Sequence, residues 1–165
     1  LQLLEREKRV FAGNPQAQPQ LKGYNYILRR HLKPEARKDI IDALAQHHIV
    51  PTSMIDISDG LASDVLHLCK QSGCGARIYL DKLPISSETF RFAEEIHIDA
   101  VTAALHGGDD YELLFTVPVT LHDTIRKEFP GIDVIGHLCG ASEGACLLTP
   151  DNQAIALTAQ GWKAG

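Results

Sequence analysis

The chain changes from a strand pattern to a helix pattern within the stretch SMIDISDGLASDVLHLC, residues 53–69. Residues 54–58 alternate about Ile55 and Ile57, as the two faces of a strand do. From Gly60 onward the period becomes helical, with one apolar face made of Leu61, Val65, Leu68 and Cys69. The stretch therefore predicts a strand, a tight acidic turn and an amphipathic helix.

The turn between these two elements carries the carboxylates of Asp56 and Asp59. Mg²⁺ takes oxygen ligands and is commonly held by one or two carboxylates together with substrate phosphates. Ser58 and Asp59 lie at or near the predicted helix N-terminus, where open backbone N–H groups favour phosphate. On spacing alone, a second interpretation has the same weight: one of these residues only caps the helix, and the other carboxylate is solvated. The turn thus predicts either a metal and phosphate site or a helix cap.

A second acidic turn, GGDDYEL, lies at residues 107–113 and leads into a predicted strand at 111–117. It again places carboxylates beside glycine. Local roles are open to two of them: Asp110 as a turn carboxylate that accepts backbone N–H groups, and Glu112 as an outward residue of the strand. We favour the local role for Glu112.

Taken together, these motifs resemble the thiamine-monophosphate kinase family. The resemblance rests on SMIDISDGL at 53–61, SGCGA at 72–76, GGDDYELLFT at 107–116 and GW at 161–162, preceded by RHLKP at 30–34 and by Arg37. The matches follow the family's order across nearly the whole chain. Each motif is weak alone, and the set is specific.

The resemblance implies a role for five residues. Asp56 and Asp59 would be Mg²⁺ ligands, and Ser58 would contact ATP. Asp109 stands where the family usually has a glutamate that touches the thiamine substrate. Trp162 is the only tryptophan; a lone tryptophan is more often a packing residue, but the resemblance implies stacking on the substrate's cationic rings.

The implied reaction is direct phosphoryl transfer from ATP to the phosphate of thiamine monophosphate, which gives thiamine diphosphate. Catalysis of phosphoryl transfer is mostly positioning and electrostatic stabilisation. The accepting phosphate is already an anion, so the resemblance implies no residue that acts as nucleophile or base.

The family is about twice as long as this chain and belongs to the two-domain superfamily of aminoimidazole ribonucleotide synthetase. The resemblance therefore implies that residues 1–20 are a remnant of the preceding region and linker, and that 21–165 form the C-terminal domain. The implied fold is α+β, a mixed sheet packed with helices. The N-terminal ATP and metal domain would be absent, so we expect the fragment alone to be inactive and the full-length enzyme to be a homodimer.

Composition and charge limit the classes of protein and partner to which the chain can belong. The 165 residues are 44% hydrophobic and 22% charged, which suits one compact core. A formal net charge of -5 argues against nucleic acid as a partner. No apolar run approaches the ~20 residues of a membrane span, and the chain reads as cytoplasmic. The four cysteines lack a Cys-x-x-Cys pair, which argues against a zinc site.

Hydrophobic periodicity in the rest of the chain predicts further helices and strands. These are a short helix at 24–30, a helix opened by Pro34 with a stripe of Ile40, Ile41 and Leu44, a strand at 76–80, two helices before Gly107, a helix with Leu121, Ile125 and Phe129, and short strands near Val134, Leu147 and Ile155.

Two other functions stay open at this point. One is another ATP-using enzyme of the same superfamily, such as selenophosphate synthetase or a hydrogenase-maturation ATPase. The other is a binding or assembly module that keeps the fold without the chemistry. The acidic motifs argue against both, because they carry the residue types of the thiamine-monophosphate kinase family.

Overall fold

A computed structural model describes residues 1–159 of the chain. The chain divides into two compact units, Leu1–Pro34 and Glu35–Gly165. Among the described residues, no helix combines the length and the apolar character that crossing a membrane requires.

The first unit contains two helices, α1 (Gln2–Gly13) and α2 (Asn25–Leu32). The Glu7 carboxylate accepts the backbone N–H of Gln20 at 2.7 Å and pairs with Arg6. The Arg6 guanidinium also lies over the Tyr24 ring, 5.1 Å from its centre, which is a cation–π contact. Helix α2 confirms the short helix expected at 24–30.

The second unit mixes helices and strands, which confirms the α+β class. In chain order its elements are α3 (Lys38–Gln46), β1 (Ser53–Asp56), α4 (Leu61–Ser72), β2 (Cys74–Tyr79), α5 (Ser87–Glu95), α6 (Ala100–His106), β3 (Leu113–Thr116), α7 (His122–Glu128), β4 (Gly136–Gly140), β5 (Ala145–Leu148) and β6 (Ala154–Ala156). Short 3₁₀ turns lie after β2, β3 and β4, at Leu80–Lys82, Val119–Leu121 and Ala141–Glu143.

The strands form two sheets. The larger is mixed, in the order β4-β2-β5-β6, with β2 parallel to β5 and the other pairs antiparallel. The smaller pairs β1 with β3 antiparallel, so that Ser53 lies opposite Thr116 and Asp56 opposite Leu113. This register brings the turn after β1 beside the turn before β3.

Helix α4 forms the centre of one apolar core. Its four predicted face residues, Leu61, Val65, Leu68 and Cys69, are all buried. The helix ends at Ser72 and is followed by Gly73, whose left-handed φ of 62° is the usual stop for a helix. The core around α4 includes Ala76 and Ile78 of β2, Leu105 of α6 and Leu147 of β5. A second core contains Ile40, Leu44, Ile49, Ile125 and Phe129.

Several sequence-based boundaries and one burial expectation are wrong, and local geometry explains the first three of these differences. Helix α3 begins at Lys38 and not at Pro34, because Arg37 has non-helical backbone angles. Ile41 is 44% exposed, since it lies about 100° round the helix from the buried Ile40.

Strand β3 begins at Leu113, because Tyr111 has a left-handed φ of 52°. Strand β2 begins at Cys74, ahead of the predicted 76, and β4 at residue 136, beyond Val134.

Asp99 caps helix α6, which leads into the second acidic turn. Its carboxylate accepts the backbone N–H of Thr102 at 2.8 Å and that residue's hydroxyl at 2.7 Å, and the backbone N–H of Val101 at 3.4 Å. The side-chain and backbone bonds to Thr102 hold the pKa of Asp99 below its ordinary value. The cap is therefore strongest with the carboxylate ionised.

We expect Asp99→Ala to lower the free energy of unfolding by about 1 kcal/mol at neutral pH. A lowered pKa stabilises the folded chain above the carboxyl's unfolded pKa of about 3.9, and this part is lost as the pH falls through the folded value. Urea unfolding at several pH values should show the wild-type and alanine curves converging in acid. Asp99→Asn keeps the cap and is the control; an alanine deficit that did not change with pH would contradict this account.

Candidate functional site

The first acidic loop, residues 56–60, joins β1 to α4. Asp56 is the last residue of β1, as the sequence predicts, and the side chains of Asp56 and Asp59 are both exposed. Gly60 is buried with φ 101°, and a Cβ there would lie 2.9 Å from the carbonyl oxygen of Leu105 in α6. The glycine therefore allows this loop to lie against the end of α6.

The second acidic loop, residues 107–112, joins α6 to β3. Gly108 has φ 65°, and a Cβ on it would lie 2.7 Å from the carbonyl oxygen of Ser58. Asp109 and Tyr111 also have positive φ, of 55° and 52°. Such angles are uncommon for residues other than glycine and are held only where surrounding contacts determine them.

Three backbone hydrogen bonds join the two loops. The N–H of Asp109 donates to the carbonyl of Ser58 at 2.9 Å, and the N–H of Tyr111 to that of Ile57 at 2.8 Å. In return, the N–H of Ile57 donates to the carbonyl of Glu112 at 2.8 Å. We call this unit the paired acidic loops. It brings Asp56, Ser58, Asp59 and Asp109 into one structure, although the two motifs are some fifty residues apart.

Tyr111 binds the Asp109 carboxylate of its own loop and lies near the charge of Asp56 in the first loop. Its hydroxyl donates to Oδ1 of Asp109 at 3.1 Å. This bond, the charge of Asp109 and, to a lesser degree, the charge of Asp56 raise the pKa of the Tyr111 hydroxyl. Asp56 and Asp109 therefore lie within electrostatic reach of the same group. Tyr111 is 42% exposed, so a ligand can reach it from solvent.

Asp64 is a residue that the sequence analysis missed. It lies in the first turn of α4, only 2% exposed, and its Oδ2 accepts the backbone N–H groups of Ser58 at 3.1 Å and Asp59 at 3.2 Å. Burial raises the pKa of the Asp64 carboxyl, against the lowering effect of these two bonds. A carboxylate in the first turn of a helix is the one sequence signal that could have identified it.

The structure narrows one expectation for the first loop and corrects another. The backbone N–H groups of Ser58 and Asp59 both donate to the Asp64 carboxylate, so a phosphate contact through backbone would use the N–H groups at the start of α4 itself. Neither residue caps the helix, because the N-cap position belongs to Gly60. The exposed carboxylates and the Ser58 side chain remain as the groups through which this loop can bind a ligand.

Glu112 forms a half-buried ion pair with Arg37, the residue before α3. The expectation of an outward position on the strand is wrong, because Glu112 precedes β3 and is only 31% exposed. Arg37 also binds Asp39 at 3.0 Å. The hydrogen bonds to Asp39 and then to Glu112 raise the pKa of Arg37, so the guanidinium stays charged. The pair ties the second acidic loop to the start of α3.

The paired acidic loops offer hard oxygen donors on exposed side chains. Within residues 1–159, His, Cys, Asp and Glu form no group of three or more that could hold a metal ion. A protein commonly supplies one or two carboxylates to a Mg²⁺ ion, and phosphate oxygens and water are the other ligands. Asp56 and Asp59 fit that number. Asp110 is exposed beside them. Trp162, expected to bind the substrate, lies outside the described residues.

Comparison with known proteins gives a consistent picture. Residues 16–158 match the family model described as AIR synthase related protein, C-terminal domain. The thiamine-monophosphate kinase of Escherichia coli (strain K12) is 37% identical over 145 residues, which are 86% of this chain and 43% of that protein. The Salmonella typhimurium (strain LT2) enzyme of that name is 46% identical over 97 residues, 57% of this chain and 27% of that protein. The chain thus spans less than half the length of these relatives.

Solved structures of thiamine monophosphate kinases are also similar to this chain. Thiamine monophosphate kinase from Aquifex aeolicus is 29% identical with a TM-score of 0.67, covering 93% of this chain and 46% of that one. AaThiL complexed with AMPPCP and TMP is 29% identical with a TM-score of 0.69, covering 97% and 46%. Escherichia coli HypE, a hydrogenase maturation protein, has a TM-score of 0.61 at 17% identity over 75% of this chain and 40% of that one, which is a likeness in fold alone.

Proposed function

Because the chain belongs to the family of AIR synthase related proteins, we propose that it forms the C-terminal domain of a thiamine-monophosphate kinase. The reaction is transfer of the γ-phosphoryl group of ATP to the phosphate of thiamine monophosphate. The observation that carries the proposal is the set of three backbone hydrogen bonds that joins the two acidic motifs into one unit. The curated relatives at 37% and 46% identity, all thiamine-monophosphate kinases, support the same activity.

Asp56 and Asp59 are proposed as the Mg²⁺ ligands of this domain. Both are exposed carboxylates on a loop whose backbone is held by hydrogen bonds on two sides. When bound, Mg²⁺ supplies positive charge to the phosphates during transfer. The residues themselves position the phosphates, and Ser58 between them contacts ATP through its side chain. No residue of the chain is assigned as nucleophile or base.

Asp109 and Trp162 are proposed to bind thiamine monophosphate. The Asp109 carboxylate is oriented by the Tyr111 hydroxyl at 3.1 Å. Its side chain is one methylene shorter than the glutamate typical of the family, so a bridging water would complete the contact with the substrate. Trp162 would stack on the cationic rings.

The remaining parts of the proposal concern the whole protein. Residues 21–165 are the C-terminal domain and 1–20 a remnant of the preceding region and linker. The N-terminal half supplies further ATP and metal ligands, and the enzyme is a cytoplasmic homodimer. We call the protein that joins this chain to such an N-terminal half the full-length kinase.

The decisive experiment compares this chain with the full-length kinase. We expect the purified chain alone to form no measurable thiamine diphosphate from thiamine monophosphate, ATP and Mg²⁺, because half of the groups that hold the transition state are missing. The full-length kinase should form it, with products followed by chromatography.

Two outcomes would refute parts of the proposal. Full turnover by the isolated chain, free of contaminating enzyme, would show that the domain is catalytically complete. A full-length protein that transfers a phosphoryl group from ATP to a different acceptor, and leaves thiamine monophosphate unchanged, would instead indicate another enzyme of the superfamily.

A further inference from the structure

Asp64 is the only buried charged residue that the described part of the chain contains. Burying a carboxylate is costly unless hydrogen bonds or an opposite charge compensate it. Within residues 1–159 Asp64 forms no ion pair, and its hydrogen bonds run to the N–H groups of Ser58 and Asp59. These two bonds from the first acidic loop are therefore the largest compensation for burying this charge.

The two peptide groups on either side of Ser58 are held at both ends. In the first, the N–H of Ser58 donates to Asp64 and the carbonyl of Ile57 accepts from Tyr111. In the second, the N–H of Asp59 donates to Asp64 and the carbonyl of Ser58 accepts from Asp109. Asp64 and the second acidic loop thus hold the first loop from opposite sides.

Holding both peptide planes fixes the backbone between Asp56 and Asp59. A metal site binds its ion better when its ligands are already held in place, and groups that orient ligands typically change metal affinity or activity by about 10–100-fold when removed. A helix that needed only packing at this position could use an apolar side chain, as its neighbours Ala62 and Val65 do.

We propose that Asp64 is a positioning residue, which sets the first acidic loop so that Asp56 and Asp59 can bind Mg²⁺ together with the nucleotide. The inference rests on the proposed kinase function. Asp64 itself touches neither metal nor substrate in this proposal, and it acts through the two backbone N–H groups.

Two variants separate its hydrogen bonds from its charge. Asp64→Ala and Asp64→Asn both remove the negative charge, but asparagine keeps an acceptor oxygen of the same reach. In the full-length kinase we expect alanine to raise the Mg²⁺ concentration for half-maximal rate by about tenfold or more, and asparagine by no more than about threefold. The KM for thiamine monophosphate should stay within about twofold for both, because the substrate contacts are not touched.

Ser63→Ala is the matched control. Ser63 adjoins Asp64, is 3% exposed, and its hydroxyl has no hydrogen-bond partner in the described part of the chain. Its removal should leave the Mg²⁺ dependence unchanged. If Asp64→Ala does not fold, Asp64→Leu keeps the branching of the side chain without an acceptor and should show the same shift in Mg²⁺ dependence.

Amide hydrogen exchange gives a second measurement that does not depend on catalysis. Asp64→Ala should speed exchange at the amides of Ser58 and Asp59 by about tenfold or more, since each loses its acceptor. Asparagine should preserve most of the protection. Exchange in Ser63→Ala should match the wild type.

The outcomes distinguish the inference from the function on which it rests. Equal Mg²⁺ shifts for alanine and asparagine would assign the effect to charge and overturn the positioning role. An unshifted Mg²⁺ dependence with a lower melting temperature would make Asp64 a packing residue. A wild-type protein that makes no thiamine diphosphate would refute the kinase proposal, and unchanged amide exchange would refute the Asp64 contact by itself.

Discussion

Asp56→Asn and Asp59→Asn should each lower the kcat of the full-length kinase by about 10²-fold or more while the protein stays folded. Asparagine keeps the shape of the side chain but removes the charge that binds a cation. Losing a few kcal/mol of charge stabilisation in the transition state corresponds to a rate loss of this size. The measurement is the initial rate of thiamine diphosphate formation across a range of Mg²⁺ concentrations.

Asp133→Asn is the control for these variants, because Asp133 is an exposed carboxylate outside both acidic loops. It should behave as the wild type. Near wild-type rates for Asp56→Asn and Asp59→Asn at limiting Mg²⁺ would contradict their assignment as ligands and leave them as solvated surface residues.

Gly108→Ala should separate the paired acidic loops. The added Cβ would lie 2.7 Å from the carbonyl oxygen of Ser58, which already accepts the N–H of Asp109. Because this is backbone, one loop must move, and a displacement of about 1 Å can cost about 10²-fold in kcat. We also expect a loss of about 1–3 kcal/mol in the free energy of unfolding.

Gly73→Ala isolates the effect of backbone conformation from the clash. Gly73 has a similar φ of 62°, but a Cβ there meets nothing within 4 Å. This variant should lose about 1 kcal/mol of stability from the left-handed conformation and keep its kcat. If both alanine variants lost activity alike, or if neither did, the close contact at Gly108 would not be the reason for the glycine.

The strand, acidic turn and helix at residues 53–72 follow from local pattern. The alternation about Ile55 and Ile57 predicts β1, the change of period at Gly60 places the start of α4, and the four apolar face residues of α4 are buried as the pattern predicts. Such features can be read from sequence because they depend on residues within one or two turns of each other.

The position of the second acidic loop could be found from its motif, but its backbone could not. A pattern of apolar and polar residues extends the strand back to Tyr111, whereas the structure places Tyr111 at φ 52°. That conformation depends on hydrogen bonds to Ile57 and Ser58 of the other loop. Sequence periodicity contains no information on such long-range bonds.

Arg37 and Asp64 show the same limit at the level of side chains. The partner of Arg37, Glu112, is 75 residues away. Asp64 is close in sequence to Ser58 and Asp59, yet its role depends on the loop folding back over its own helix. This fold-back uses the backbone N–H groups of Ser58 and Asp59, so these two groups are not available to phosphate.

The most direct test is to locate the metal. The full-length kinase would be crystallised with AMPPCP and thiamine monophosphate, and with Mn²⁺ in place of Mg²⁺. The Mn²⁺ should give an anomalous peak beside the first acidic loop. We predict that its ligands include carboxylate oxygens of Asp56 and Asp59, at about the 2.1 Å typical of small hard cations, together with phosphate oxygens of the nucleotide. A metal held elsewhere, with both carboxylates facing solvent and the nucleotide phosphates distant from the paired acidic loops, would contradict the account.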